Sequence, residues 1–270
     1  MRSLIALAVL LLAAVTSNAA SAGEVIPSPF RDDRIFAESI ATAEALDIPA
    51  RTVSGLTVPH HLVAADLIAR AFVLARENRY DRIVVLTPDH FKRARRTFAT
   101  TRRPFDTVYG TVPADAAAVG TLLASSAAVE ESDLFVREHG ITAILPYVAR
   151  FFPGTPVVPV AVTIASSRAE WDEMVDALAP LVTARTLVLQ STDFSHYLTL
   201  PDAILRDQET LNVIAAHDRD GVATLHQPQH LDSRGSQYIQ MRLQAERFGA
   251  EPVVIANSNM ELYLGRPVAE

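Results

Sequence analysis

The sequence predicts a single-domain α/β protein, three layers deep (α/β/α), built on a mostly parallel sheet. Three observations carry this. Arg82-Ile83-Val84-Val85-Leu86 and Thr186-Leu187-Val188-Leu189-Gln190 are short, nearly continuous apolar runs without polar alternation, the pattern of strands buried on both faces. Between such runs lie alanine-rich stretches with apolar residues at helical intervals, and repeated strand-helix alternation implies a parallel sheet covered on both sides. No internal repeat, low-complexity linker or shift of composition marks a second domain.

Taken in order, residues 1–22 read as a signal peptide. Arg2 supplies a positive start, Leu4 to Val15 an apolar core, and Ala20-Ser21-Ala22 small residues before a cleavage point at Gly23. Crossing a bilayer takes about 20 apolar residues, so this stretch implies export and release rather than anchoring. The domain is then expected over residues 23–270, in the periplasm or outside the cell. Ile35–Leu46 has helical spacing, Thr52–Val58 reads as a strand stopped by Pro59, and Leu62–Asn78 as a helix. The strand at Arg82 follows, then a short one at Thr97–Thr101 and a helix over Pro113–Ser126, where the proline suits a first turn. Ile141–Phe152 is expected to be helical with an interruption near Pro146. Thr155–Thr163 (strand), Arg168–Leu181 (helix), Thr186–Gln190 (strand), Pro201–Ala216 and Ser233–Phe248 (helices) continue the alternation. A last strand is expected at Pro252–Ala256.

Composition narrows the function. The formal charge of −7 does not fit a nucleic-acid-binding surface, which is strongly basic. Export permits disulfides, yet the chain has no cysteine. The fold must therefore be held by its core alone. At 49% hydrophobic residues the material for that core is present, and a domain of this size buries roughly three quarters of its unfolded surface.

The histidines are the informative residues. One strand ends in Pro59-His60-His61, a second in Pro88-Asp89-His90, and a third runs into Ser191-Thr192-Asp193-Phe194-Ser195-His196-Tyr197. Parallel strands place these ends on one edge, where open α/β sheets bind ligands. Glu138-His139, at an expected helix start, can lie there too. Five of the eight histidines fall in these four places. Neutral imidazole with carboxylate suits a divalent transition metal. A metal-free alternative has Asp193 orienting His196 as a general base, with Ser191 or Ser195 as nucleophile, although no G-x-S-x-G elbow is present.

Four ordered motifs carry a family resemblance: Thr57-Val58-Pro59-His60, Leu86-Thr87-Pro88-Asp89-His90, Glu138-His139-Gly140-Ile141-Thr142-Ala143-Ile144-Leu145-Pro146, and Ser191 to Tyr197. They resemble the Memo family, also called AmmeMemoRadiSam system protein B, related to the LigB-type class III extradiol dioxygenases. The resemblance implies that His60, His90 and His196 are metal ligands, with Glu138, His139 and Asp193 beside them as proton-handling residues. His60 rather than His61 matches, because the family histidine directly follows proline. The family also has a cysteine ligand in a Cys-Gly pair, and the matching stretch appears as Asp232-Ser233-Arg234-Gly235, with Arg234 in the place of the cysteine. Retention of the metal then falls to His196 as third ligand, with iron first and copper or zinc as alternatives.

Arg234 is expected to contact an anionic or phenolic small molecule through its planar guanidinium, with Tyr197 stacking on it. The basic run of Lys92, Arg93, Arg95, Arg96, Arg102 and Arg103 is read first as a solvated loop, and second as a device steering acidic ligands. His217, His226 and His230 are read as surface residues and Trp171 as core. The resulting functional expectation is a non-haem metal-dependent, dioxygenase-like oxidoreductase. The alternative is a non-catalytic binding protein for an anionic small molecule or peptide in the same cleft.

Overall fold

Six short stretches become the strands of one sheet: β1 (Gly55–Val58), β2 (Arg82–Pro88), β3 (Phe98–Thr100), β4 (Val129–Glu131), β5 (Val157–Val162) and β6 (Thr186–Ser191). Their spatial order is β1-β6-β2-β5-β3-β4, parallel throughout except where β3 meets β5. The computed structural model describes residues 24–266, so the expected signal peptide lies outside the described residues.

The pleat of the central strands divides the core. On β2, Ile83 and Val85 point to one side, where they meet Phe36 and Ile40 of α1 (Arg34–Glu44), Ile68 and Phe72 of α2 (Ala65–Ala75), and Tyr147. Val84 and Leu86 point to the other, against Leu122 of α3 (Ala116–Ser125), Trp171 and Met174 of α6 (Arg168–Leu178), and Ile239 of α9 (Arg234–Leu243). β5 and β6 are buried at every residue, as continuous apolar strands between two helical layers must be. The α/β architecture with its mostly parallel sheet is therefore the one expected.

Expected and observed elements differ in detail. The helix expected at Ile141–Phe152 is two: α4 (His139–Thr142) and α5 (Leu145–Phe151), with Pro146 in the first turn of α5, where its missing N–H costs nothing. The helix expected at Ser233–Phe248 begins as α9 and continues as a π-helical turn, Gln244–Phe248. β4, α8 (Arg219–Thr224) and α10 (Met260–Leu264) were not expected; α7 (Leu200–Ala215) was. The strand expected at Pro252–Ala256 does not form. Its residues have strand-like composition, but no described strand runs beside them to take their backbone groups, and Val253, Val254 and Ile255 face solvent.

What positions the site is the adjacency of β1, β6 and β2. Val58 sits beside Ser191 and Leu86 beside Gln190, so three neighbouring strands deliver their carboxyl-end loops to one place. The base of α9 is docked through Gly235, where an added Cβ would come within 2.7 Å of both the Trp171 ring nitrogen and a Val162 methyl. Gly235→Ala should cost about 1–3 kcal/mol of stability, since two buried groups would have to give way; urea unfolding of the variant checks this.

Candidate metal centre

His60 leaves β1 and is buried, held from behind by β6. Its Nδ1 lies 3.2 Å from the Ser191 hydroxyl, which itself donates a short hydrogen bond to the Gly140 carbonyl. A hydroxyl has one hydrogen to give, and Gly140 takes it. His60 Nδ1 must therefore be the donor, which leaves Nε2 bare on the neutral ring. Burial holds His60 below the ordinary imidazole range, so the neutral form prevails.

His90 follows β2 and is oriented by a carboxylate. Glu138, fully buried, accepts from His90 Nδ1 at 2.6 Å, from the His90 backbone N–H at 3.0 Å and from the Gly140 N–H at 2.8 Å. Burial opposes ionisation of Glu138, but His90 outweighs it and holds the group below its usual range. Gly140 is obligatory for this approach, because a Cβ would meet the Thr87 hydroxyl at 2.2 Å and the His90 ring at 3.3 Å. Burial likewise pushes His90 down, yet Asp232 and Glu138 prevail and raise it to about 10.

The third oriented imidazole is His196, on the loop after β6. Its Nδ1 lies 2.7 Å from the Phe194 carbonyl, an oxygen that can only accept, so Nε2 is again left free. Beside it, Asp193 receives the His60 backbone N–H at 2.9 Å and makes a short contact with Nδ1 of half-exposed His61. That contact raises the His61 pKa. Asp193 itself is held below its normal range, since His60 and His61 overcome the penalty of burial.

Asp232, just before α9, is a site residue that no strand end or motif marks in the sequence. The expectation put Arg234 where the family has its cysteine, but Arg234 turns elsewhere. Its guanidinium donates to the Gln227 side chain and to the carbonyls of Ala223 and Leu225, and stacks 5.8 Å from the Trp171 ring. From that stretch it is the buried Asp232 carboxylate that reaches the histidines, with Oδ2 3.3 Å from His60 Nε2 and 3.4 Å from His90 Nε2. Two donors bound at about 2.1 Å to one tetrahedral ion lie roughly 3.4 Å apart, so the spacing fits a shared ion. Both Nε2 atoms are buried without a hydrogen-bond partner, as is Asp232 Oδ1. Polar atoms buried in that way call for a ligand.

Donor atoms gather in overlapping groups, each within 4.8 Å: His60 with His90 and His139; His60 with His61 and Asp193; Asp193 with His196 and Asp232. His60 and His90 thus take His139 as the third imidazole of their group, while His196 keeps company with carboxylates. His139, at the start of α4, packs its ring 4.1 Å from that of His90. Burial, and then the neighbouring His90 and His60, lower its pKa to about 4.

The remaining expectations resolve as follows. Tyr197 is 93% exposed, with a left-handed φ of 57°, and its ring lies tilted 5.7 Å from that of His196. Four side chains of the basic run turn away from the histidines: Arg95 pairs with Glu130, Arg102 with Glu131 and Arg103 with Asp133, while Arg96 donates to the Ala127 carbonyl. Ser191 is spent on Gly140, and Ser195 is held through its backbone by Asp207. His230, expected at the surface, is buried and bonded to Glu209, whereas His217 and His226 are exposed and Trp171 is core.

The chain is thus an α/β domain whose imidazoles and carboxylates converge at the carboxyl edge of its sheet in groups that could hold a metal ion. The comparisons give its family. The sequence profile described as Memo-like protein matches residues 18–259, and the chain belongs to the Memo family. A MEMO1 family protein of Thermotoga maritima is 27% identical over 170 residues, 61% of each chain. Those of Methanopyrus kandleri and Desulfurococcus amylolyticus are 27% and 23% identical over 63% and 65% of each. The chain thus spans less than two thirds of the length of these relatives.

The depressed pKa of His139 has a measurable consequence. The unfolded chain, titrating near 6.5, takes up its proton before the folded one does. Stability contributed by neutral His139 is therefore present above pH 6.5 and is lost as pH falls from 6.5 toward 4. In metal-free protein, His139→Gln should flatten the decline of the urea midpoint over that interval.

Proposed function

We propose that this chain is an exported member of the Memo family that holds a divalent transition metal, iron first, for dioxygenase-like oxidoreductase chemistry. The observation that carries the reading is the convergence of His60 Nε2, His90 Nε2 and the Asp232 carboxylate, each imidazole fixed from behind through Nδ1. Two histidines and one carboxylate are the donor set of non-haem iron oxygenases, and without a thiolate the site no longer has the soft ligand that selects Cu(I). When bound, the ion supplies Lewis acidity and redox capacity to a substrate oxygen.

The chain's own residues do the rest. The carboxylate of Glu138 and the hydroxyl of Ser191 hold His90 and His60 in the ligating tautomer. His90, protonated at neutral pH in the metal-free state, gives up the proton on Nε2 when an ion takes its place. His139, with its lowered pKa, is neutral at pH 7 and offers a hydrogen-bond acceptor to a bound phenolic hydroxyl. His61, paired with Asp193 and half-exposed, passes protons to solvent. Steering of an anionic ligand draws no support from Arg95, Arg96, Arg102 and Arg103, whose side chains are engaged at β4 and the segments on either side of it.

Two experiments test this. Full-length chain purified without an affinity tag should bind Fe(II) under anaerobic conditions, and a His60→Ala/His90→Ala variant should lose at least tenfold in affinity for the first equivalent, read by calorimetry. Equal affinity in the variant removes the reading. For export, intact mass of protein recovered from the periplasm or medium should correspond to a chain starting at Gly23; a cytoplasmic protein retaining Arg2 contradicts it.

A further inference from the structure

Three features near His196 have no use in a centre made of His60, His90 and Asp232 alone. First, the His196 ring is oriented in the same way as the other two, Nδ1 on a carbonyl and Nε2 free, which is how proteins prepare a metal-binding histidine. Second, Asp232 is 6% exposed, and while its Oδ2 faces His60 and His90, its Oδ1 is buried with no partner. Third, Asp193, His196 and Asp232 bring donor atoms within 4.8 Å of one another, in a group separate from that of His60, His90 and His139.

Charge points the same way. Asp193, Asp232 and Glu138 are three carboxylates within one small buried region, and none of them pairs with a lysine or arginine among the described residues. Imidazoles are their only cationic partners among the described residues. Buried carboxylates are costly unless compensated, and divalent cations compensate them directly. Access is also provided: Asp193, His196 and His61 line a large cavity that runs along β1 toward Val253 and Met260.

We infer that the centre takes two divalent first-row cations, bridged by the Asp232 carboxylate. His60, His90 and Asp232 Oδ2 hold the first; Asp193, His196 and Asp232 Oδ1 hold the second. His61, its side chain 47% exposed, has room to turn aside and release Asp193 Oδ2. This rests on the metal-binding reading given above and extends it from one ion to two. Ions sharing a carboxylate sit about 3.5–4 Å apart, close enough to couple magnetically.

Mn(II) is the probe, because it reports both number and proximity. Full-length, tag-free chain is stripped with chelator, loaded with Mn(II), desalted and measured by elemental analysis and electron paramagnetic resonance. The expected result is two manganese ions per chain, with a many-line, exchange-coupled spectrum. Asp193→Asn, which preserves side-chain shape and the acceptor for the His60 N–H, and His196→Ala should each bind one ion and give the six-line spectrum of isolated Mn(II). One ion and a six-line spectrum in the unaltered chain, with the same count in both variants, would overturn the second ion and leave the single-ion reading standing. No retained manganese, nor any other divalent ion, would remove both. Because the unaltered chain decides by itself, a variant that fails to fold does not blunt the test.

Discussion

The structure depends on the packing of β6 between β1 and β2. Parallel neighbours share a direction, so all three end on one rim, and strands about 4.8 Å apart leave their following loops no room to diverge. His60, His90 and the Asp193–His196 loop converge for that reason, although more than a hundred residues separate the first from the last. Apolar burial of the strands on both faces thus sets the geometry of a polar site that contributes nothing to that burial.

Convergence alone would leave a cluster of imidazoles free to rotate. The second layer of contacts removes that freedom, and it is built from backbone as much as from side chains. The Gly140 and Phe194 carbonyls and the backbone N–H groups of His60 and His90 all take part. Gly140 is the joint where the helical start of α4 touches the end of β2, and the contact is close enough to exclude a methyl group. The same element supplies Glu138 to His90 and an acceptor to Ser191. A single tight turn therefore fixes two of the three rings.

Much of this was legible in the sequence, for physical reasons. Short continuous apolar runs rich in β-branched residues fit doubly buried strands, which placed β2, β5 and β6, and a polar motif directly after a strand of a parallel sheet lies at the sheet's edge. His60, His90, Asp193 and His196 were found in this way, and Glu138-His139 by their position at a helix start. Asp232 was not, because no strand precedes it. It arrives by the docking of α9 through Gly235 and Trp171, a contact between helices that leaves no periodic trace. Arg234 stands where the family has its cysteine, but two residues' shift from Asp232 along a helix start turns a side chain well away, here onto Trp171. Pro252–Ala256 was read as a strand from composition, which reports propensity but not whether a neighbour is available. β4 is three residues long and defined by its pairing with β3 rather than by its own pattern.

The three rings are backed by unlike acceptors: an anionic carboxylate behind His90, an alcohol behind His60 and a peptide oxygen behind His196. An imidazole leaning on an anion acquires imidazolate character and becomes the most electron-rich donor of the three, while one leaning on a neutral amide stays closest to free imidazole. Were an ion bound, the three rings would offer it donors of graded strength, the strongest on the loop after β2 and the weakest on the loop that lines the cavity, so that exchange would begin from the cavity side.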